Sequence, residues 1–398
     1  RKEPMRTTVR QNDPASCTGC GACVSICPKQ AITMRADSEG FLYPVVDGTK
    51  CVACDACEKR CPAGKPAQEK HTKLFGAQAK DEQLRKASSS GGIFTLLARN
   101  TLAKGGVVFG AVFDENLRVE HIGALDETEL AGMRGSKYVQ SDAADAIQNA
   151  VSLLRRDIPV LFSGAPCQVN GLLAALGNQK TDKLLTVDFV CHGVPSPGVF
   201  ASYIKELEKE HGCRVTGYAF RDKRLGWKNF SAVATFEDGT EHSGTQVDEP
   251  FLYGFLQNLY LRPACHGCTQ LRGERHPSDI TIADLWGAEK LCPEKDDDTG
   301  LSLVMANTQK GRQALDALGA KLNIFPLSGL EEMARGNPGL LAPAKPHEKR
   351  AAFFKRYQTH GFESRRVMKL LRGKSRFEKA LRRAAHLPAG LMRRVLKK

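Results

Sequence analysis

The sequence predicts two folded parts and a tail. A small α+β metal-bound domain leads, an α/β body follows, and a basic, partly helical segment closes the chain. Three observations predict this. Eight cysteines fall in two matching runs within the first 61 residues. From about residue 74 onward, short apolar strand-like runs alternate with stretches of helical periodicity, as in chains built from strand–helix units. The charge then shifts near residue 345: the last 54 residues hold 18 Lys and Arg against 3 Asp and Glu, and the preceding 344 hold 40 against 41. The formal charge of +14 therefore belongs to the tail. A near-neutral body gives no electrostatic reason to bind nucleic acid.

The first element is the doubled cysteine run. CTGCGACVSICP supplies Cys17, Cys20, Cys23 and Cys27, followed by Pro28; CVACDACEKRCP supplies Cys51, Cys54, Cys57 and Cys61, followed by Pro62. Both read C-x₂-C-x₂-C-x₃-C-P, the bacterial ferredoxin spacing. Three close cysteines wrap one corner of a [4Fe–4S] cubane, and the fourth crosses to the other cluster. Cys17, Cys20, Cys23 and Cys61 are expected to hold one [4Fe–4S] cluster, and Cys51, Cys54, Cys57 and Cys27 the second. Zinc knuckles are the alternative; the doubling and the proline after each fourth cysteine favour iron–sulfur. Residues 12–65 thus read as a two-cluster ferredoxin-like domain whose work is electron transfer. Residues 66–73 (PAQEKHTK) are polar and aperiodic and read as a linker.

The body spans 74–345. SSSGGIFTLLARNTLAKGG (88–106) joins serines and glycines to a helical pattern that stops at Gly105 and Gly106, and VVFGAVF follows as a strand. Backbone N–H groups exposed at such a helix start suit an anion. MRGSKYVQSD (133–142) places a glycine, a lysine and a tyrosine in a turn ahead of a helix at about 143–155. Both stretches also read as an ordinary cap and an ordinary exposed loop.

Two isolated cysteines come next. IPVLFSGAPCQVNGLLAALG (158–177) reads as strand, Gly/Pro turn with Cys167, then helix; LLTVDFVCHGVPSPGVFASYIKELEKE (184–210) repeats that order around Cys191. Consecutive strand–helix units place strands in parallel, and ligands collect at the carboxyl ends of such strands. Neighbouring strands lie roughly 5 Å apart, so two such thiolates can reach one centre. Cys265 and Cys268, on a C-x-x-C turn, complete a set of four: Cys167, Cys191, Cys265 and Cys268. Spacing alone fits a third [4Fe–4S] cluster or a zinc site equally; the ferredoxin run on the same chain favours iron–sulfur. Buried core cysteines are the plain alternative, and Cys191 as a catalytic thiol is another. Cys213 and Cys292 have no partners by spacing and read as structural.

SSSGG, GSKY, SGAPCQ, CHGVPSP, FRDKRLGW (220–227), CHGCTQ and SDITIADLWG occur in this order. With them the chain resembles the family of coenzyme F-420 hydrogenase/dehydrogenase beta subunits over about residues 12–345, in the bacterial arrangement that begins with a ferredoxin dicluster. The resemblance implies an iron–sulfur flavoprotein oxidoreductase with FAD in the body. It makes Ser90, Gly91, Gly92, Gly135, Ser136, Lys137 and Tyr138 candidate flavin contacts, with Asp279, Asp284, Trp286 and Gly287 closing the same site. Arg221, Lys223 and Trp227 resemble a stretch that faces flavin or substrate. No G-x-G-x-x-G is present, so a Rossmann-type flavin site is not expected. Electrons would run between the ferredoxin clusters, the third cluster, FAD and a hydride-exchanging substrate. His192 and Lys223 are candidate proton carriers; His192 bonding only within its own turn is the plain reading. The alternative function is a non-catalytic electron-transfer subunit serving a partner enzyme. The expected partner is thus a redox protein or a small-molecule substrate.

In the tail, 346–398, Val367, Leu370, Leu371, Phe377 and Leu381 can line one helical face interrupted by Gly373. A basic amphipathic helix suits an anionic membrane surface or an acidic protein, and a solvated tail is the simpler reading. The polar start, RKEPMRTTVRQNDP, has no apolar signal region, and thiolate-ligand spacings suit a reducing compartment. A cytoplasmic location is expected, with peripheral membrane contact through the tail as an option.

Overall fold

The computed structural model describes residues 13–372, apart from 180, 181 and 271. Its strands in chain order are β1 (Ile32–Ala36), β2 (Leu42–Val46), β3 (Lys73–Ala79), β4 (Val107–Phe113), β5 (Val119–Ala124), β6 (Val160–Ser163), β7 (Leu184–Phe189), β8 (Val215–Asp222), β9 (Ser231–Phe236), β10 (Glu241–Thr245), β11 (Ile280–Asp284), β12 (Ser302–Ala306) and β13 (Leu322–Leu327). β1 and β2 form an antiparallel pair in the ferredoxin-like module. The body is built on an eight-stranded sheet in the order β13-β3-β12-β11-β7-β6-β4-β5. Its centre, β4, β6, β7 and β11, is parallel; the strands outside that centre join antiparallel. The body is therefore mixed rather than a plain succession of parallel units. β8, β9 and β10 form a second, antiparallel sheet.

Alternation along the central strands explains why both faces of the large sheet are covered. Successive side chains of a strand point to opposite faces. Val108 and Leu161 join one core with Leu96 and Leu97 of the helix Ile93–Leu102. Val107, Phe109, Val160 and Phe162 join another with Ile147 and Leu172 of the helices Ala144–Arg155 and Pro166–Leu176. A third, aromatic core gathers Phe200, Tyr203, Phe220, Phe251 and Tyr260 between β8, β9 and the helix Pro197–His211.

That aromatic core also captures both ends of the described chain. Phe41 and Tyr43 bring the ferredoxin-like module onto it, and Phe353, Phe354, Phe362 and Val367 bring the start of the tail. Residues 350–372 thus pack as part of the body, in helices Arg350–His360 and Ser364–Arg372, and Arg350 forks onto Glu39 of the module. The boundary expected at residue 346 does not separate a free tail here, because the aromatic residues that follow it have a core to cover. Gly373, Phe377 and Leu381 lie outside the described residues. The expected linker is pinned as well: Lys70 Nζ donates to Pro277 O at 3.0 Å and Ser278 O at 2.9 Å. No described helix is long and apolar enough to cross a membrane.

Candidate functional site

The module's backbone curls where its cysteines must converge. Ala53 and Asp55 take φ of 53° and 56°, unusual for side chains other than glycine, and Asp55 starts the short helix Ala56–Lys59. Burial pushes the Cys23 thiol up, and Cys20, Cys17, Cys61 and Cys57 push it the same way by charge. Cys17, Cys20, Cys23, Cys61 and Cys57 therefore lie in one locality. Cys27, Cys51, Cys54 and Cys57 line one pocket. Cysteines of the two runs thus stand beside one another in both places.

In the body, β6 and β7 lie side by side, with Ser163 opposite Val187. Cys167 follows β6 in the first turn of the helix Pro166–Leu176, where Pro166 supplies a pre-set φ. Sequence pattern alone puts it in the preceding turn. Cys191 follows β7 in an irregular loop. Arg262 N donates to Val194 O at 2.9 Å and Pro195 bridges Leu261, which lays the Cys191 loop beside the short helix Pro263–Gly267 that carries Cys265. Burial pushes the Cys167 thiol well up, and Cys191, Cys268, Cys20 and Cys265 add repulsion in the same direction. Burial, with Cys265 and Cys268 beside it, raises Cys191, and burial raises Cys265 to about 11. Four partly buried cysteines from three separated segments thus share one locality, together with Cys20 of the module. No trio of Cys, His, Asp or Glu among the described residues is packed tightly enough for a single ion. That holds for the ferredoxin cysteines too, because a cubane's ligands surround a four-iron core.

Three residues that sequence reasoning missed join the module to this centre. Gly171 lies one turn after Cys167, and a Cβ there would stand 3.2 Å from Cys20 Sγ. Gln270 bonds to Asn170 on the same helix and donates to Lys65 O at 2.8 Å. Arg262, wholly buried, donates to Cys17 O at 2.8 Å. Gln270 ends the motif CHGCTQ and could have been found there; Gly171 and Arg262 carry no local signal.

The flavin candidates come from four segments, and most converge. Ser136 Oγ donates to Ser89 Oγ at 2.9 Å, and Ser90 Oγ donates to Leu301 O at 2.9 Å. Gly91 N donates to Ser302 Oγ at 3.0 Å, and Gly92, at φ 83°, starts the next helix. Tyr138 packs against Phe255 at 4.9 Å between ring centres, and His192 meets the same ring at 5.1 Å. Arg221 forks onto Asp284, whose Oδ1 also accepts Trp227 Nε1 at 2.8 Å. Trp227 stacks on Trp286 at 5.0 Å. Gly135 and Gly287 have open space where a Cβ would stand. The His192 Nε2 is buried and makes no hydrogen bond of good geometry, although Asn258 stands close by.

Other candidates fall elsewhere or are already engaged. Asp279 lies at the far, amino-terminal end of β11. Its carboxylate accepts from Thr186 N at 3.0 Å, Thr186 Oγ1 at 2.9 Å and Thr308 Oγ1 at 2.7 Å, so it ties loops together away from Asp284. Lys223 Nζ donates to Arg85 O at 2.7 Å, Ser90 O at 3.1 Å and Thr299 O at 2.6 Å. All three ammonium donors are thereby used in bracing the wall, although burial and Arg221 draw its pKa down to about 7. Lys137 Nζ likewise donates to Gly132 O at 2.7 Å, Arg134 O at 2.8 Å and Gly135 O at 3.3 Å, and burial lowers its pKa to about 8.

Comparison with known proteins gives three family matches. Residues 16–65 match the 4Fe-4S dicluster domain. Residues 74–148 match the N-terminal part of the coenzyme F-420 hydrogenase/dehydrogenase beta subunit, and residues 159–325 match its C terminus. The chain is 25% identical over 206 residues to a subunit of the F(420)H(2) dehydrogenase of Methanosarcina mazei, 47% of this chain and 56% of the relative. It is 25% identical over 199 residues to an uncharacterised protein of Methanocaldococcus jannaschii, 42% of this chain and 55% of that one. The chain thus spans little more than half the length of these two relatives. A chain from the F-420-reducing [NiFe] hydrogenase complex of Methanosarcina barkeri superposes with a TM-score of 0.46 at 17% identity, covering 78% of this chain and 94% of that one.

Proposed function

The chain belongs to the family of coenzyme F-420 hydrogenase/dehydrogenase beta subunits and carries a 4Fe-4S dicluster domain, and from that premise we propose that it is an iron–sulfur flavoprotein oxidoreductase. The single observation that carries this reading is the gathering of Cys167, Cys191, Cys265 and Cys268, all partly buried, around one site beside Cys20. Thiols buried together fit a [4Fe–4S] cluster, which replaces their protons and spreads their charge. A flavin, when bound, supplies exchange between single-electron and hydride chemistry.

The chain's own residues divide the remaining work. The helix Pro166–Leu176 holds Cys167 and receives Cys20 against Gly171, so one rigid element spaces the module from the buried centre. The loops carrying Ser90, Gly135, Ser136 and Tyr138 form one side of the flavin ground. Trp286, fixed by its stack on Trp227, and Asp284, fixed by Arg221, form the other. His192 Nε2, buried behind Phe255, is the proposed proton-carrying atom.

A second reading, an electron-transfer subunit that serves a separate enzyme, is favoured by one observation. Lys137 and Lys223, candidates for ligand contact and proton transfer, spend their donors on backbone carbonyl oxygens. The relative that is itself part of a dehydrogenase also suits a protein redox partner.

Iron, labile sulfide and flavin per chain, measured on anaerobically prepared protein, test both readings. About 12 iron and one flavin are expected, falling to about 8 iron in Cys191→Ala. About 8 iron in the unaltered protein removes the buried centre. Absence of flavin after reconstitution, with about 12 iron, leaves the electron-transfer subunit.

A further inference from the structure

We propose that Arg262 is the internal counter-charge of the cluster held by Cys17, Cys20, Cys23 and Cys61, and makes that cluster the more easily reduced of the ferredoxin pair. This uses the dicluster content of the module and is independent of the flavin. Arg262 is 0% exposed, and an arginine side chain stays cationic in proteins. Other buried or partly buried arginines here have carboxylate partners: Arg221 has Asp284, Arg85 has Asp297 and Arg350 has Glu39. Arg262 has none among the described residues. Its donors meet Cys17 O at 2.8 Å, Leu42 O at 3.1 Å and Gln140 Oε1 at 3.1 Å. Its remaining arm points at Cys17 Sγ, 3.7 Å away, and its Cζ lies 3.9 Å from the Tyr43 ring centre.

Neutral carbonyls and an aromatic face do not balance a buried charge, which needs an opposite charge close by. The anion this position offers is the sulfur of Cys17. A four-thiolate cubane is net negative and becomes more so on reduction, and its potential follows nearby charge and hydrogen bonds to its sulfurs. A guanidinium against Cys17 therefore stabilises the reduced form. Among the described residues that line the other cluster's pocket there is no buried cation. That pocket is lined by one charge of each sign, Lys29 and Asp55, both exposed and so screened by water and salt.

The consequence is directional. A low-potential one-electron donor reduces the outer cluster at Cys51, Cys54, Cys57 and Cys27. One electron then passes inward, so that the outer cluster is oxidised by one and the inner cluster reduced by one, with no bond made or broken. The inner cluster is the one whose Cys20 touches Gly171 on the helix of Cys167. Arg262 O also accepts Cys265 N at 2.9 Å, so the same residue anchors the next set of cysteines. Charge is thereby held on the body side of the module.

The test is an EPR-monitored redox titration of the full chain, with the inner signal assigned by its change in Cys17→Ser. In Arg262→Gln the reduction equilibrium of the inner cluster falls at least tenfold, which is 59 mV for a one-electron couple, while the outer cluster is unmoved. Unchanged potentials with iron content intact overturn the proposal. Should Arg262→Gln lose iron, Arg262→Lys decides, since it keeps the charge and gives up the fork. An inner-cluster equilibrium within threefold of the unaltered protein supports the charge role, and a fall of tenfold or more overturns it.

Discussion

The outer half of the ferredoxin-like module and the cysteine cluster of the body bring their thiols together in opposite ways. Cys51, Cys54 and Cys57 come from seven consecutive residues, whereas Cys167, Cys191 and Cys265 stand 24 and 74 residues apart. The outer half has almost no core of its own: its one small apolar cluster among the described residues has Ile32 and Cys57 as buried members. The body's centre sits at the ends of β6 and β7, strands with apolar cores on both faces. Local ligand spacing lets a cluster organise a loop that could not organise itself. Dispersed ligands need a fold that is already in place.

Removing iron is the most severe way to break that comparison. With so little apolar burial, the outer half depends on its metal for order, as small metal domains do. Hydrogen exchange on chelated protein should show residues 47–62 losing protection entirely. β4, β6 and β7 should keep theirs. β2 should stay protected as well, because Phe41 and Tyr43 belong to the body's aromatic core. Equal protection loss across module and body would show one cooperative unit instead.

Acid separates the two regions more gently. His121 is buried between Ser141 Oγ and Ser163 O, each at 3.0 Å, and burial lowers its pKa from 6.5 to about 4. Burial does the same to His276. The unfolded chain binds these protons below about pH 6.5 while the folded body refuses them until about pH 4. The stability they lend is therefore present at neutral pH and is lost as pH falls through that window. Each contributes up to about 3 kcal/mol. Urea titrations across pH 4–7 should flatten in His121→Gln by about that amount. An unchanged slope would remove His121 as a cause.

The smallest expected effect sharpens the contact between the two regions. Gly171→Val adds atoms where even one carbon stands 3.2 Å from Cys20, and overpacking of this kind costs about 1–3 kcal/mol. Iron content should stay intact, while reduction of the proposed third cluster by way of the module slows in stopped-flow traces. An unaltered rate would show that electrons cross elsewhere.

The path to these sites was unevenly legible in the sequence. The ferredoxin cysteines were readable because ligands, turn glycines and prolines repeat within a dozen residues. The strand ends before Cys167 and Cys191 were readable because apolar runs stop at Gly/Pro turns. Asp279 and Asp284 looked alike in SDITIADLWG, yet β11 carries them to opposite ends. Lys137 and Lys223 looked like ligand-binding lysines, but whether an ammonium faces a cavity or three carbonyls depends on loops far off in the chain.

By itself the sequence determined what depends on near neighbours: two cluster-binding runs, the strand and helix segments of the body, and a family signature spread through them. The tertiary structure alone decided what depends on distant pairs. It laid Cys20 against Gly171, put Arg262 against Cys17 without a carboxylate, and folded residues 350–372 onto the aromatic core. The physical reason is that local patterns set backbone conformation, while packing and buried charge are settled only when segments hundreds of residues apart exclude water together.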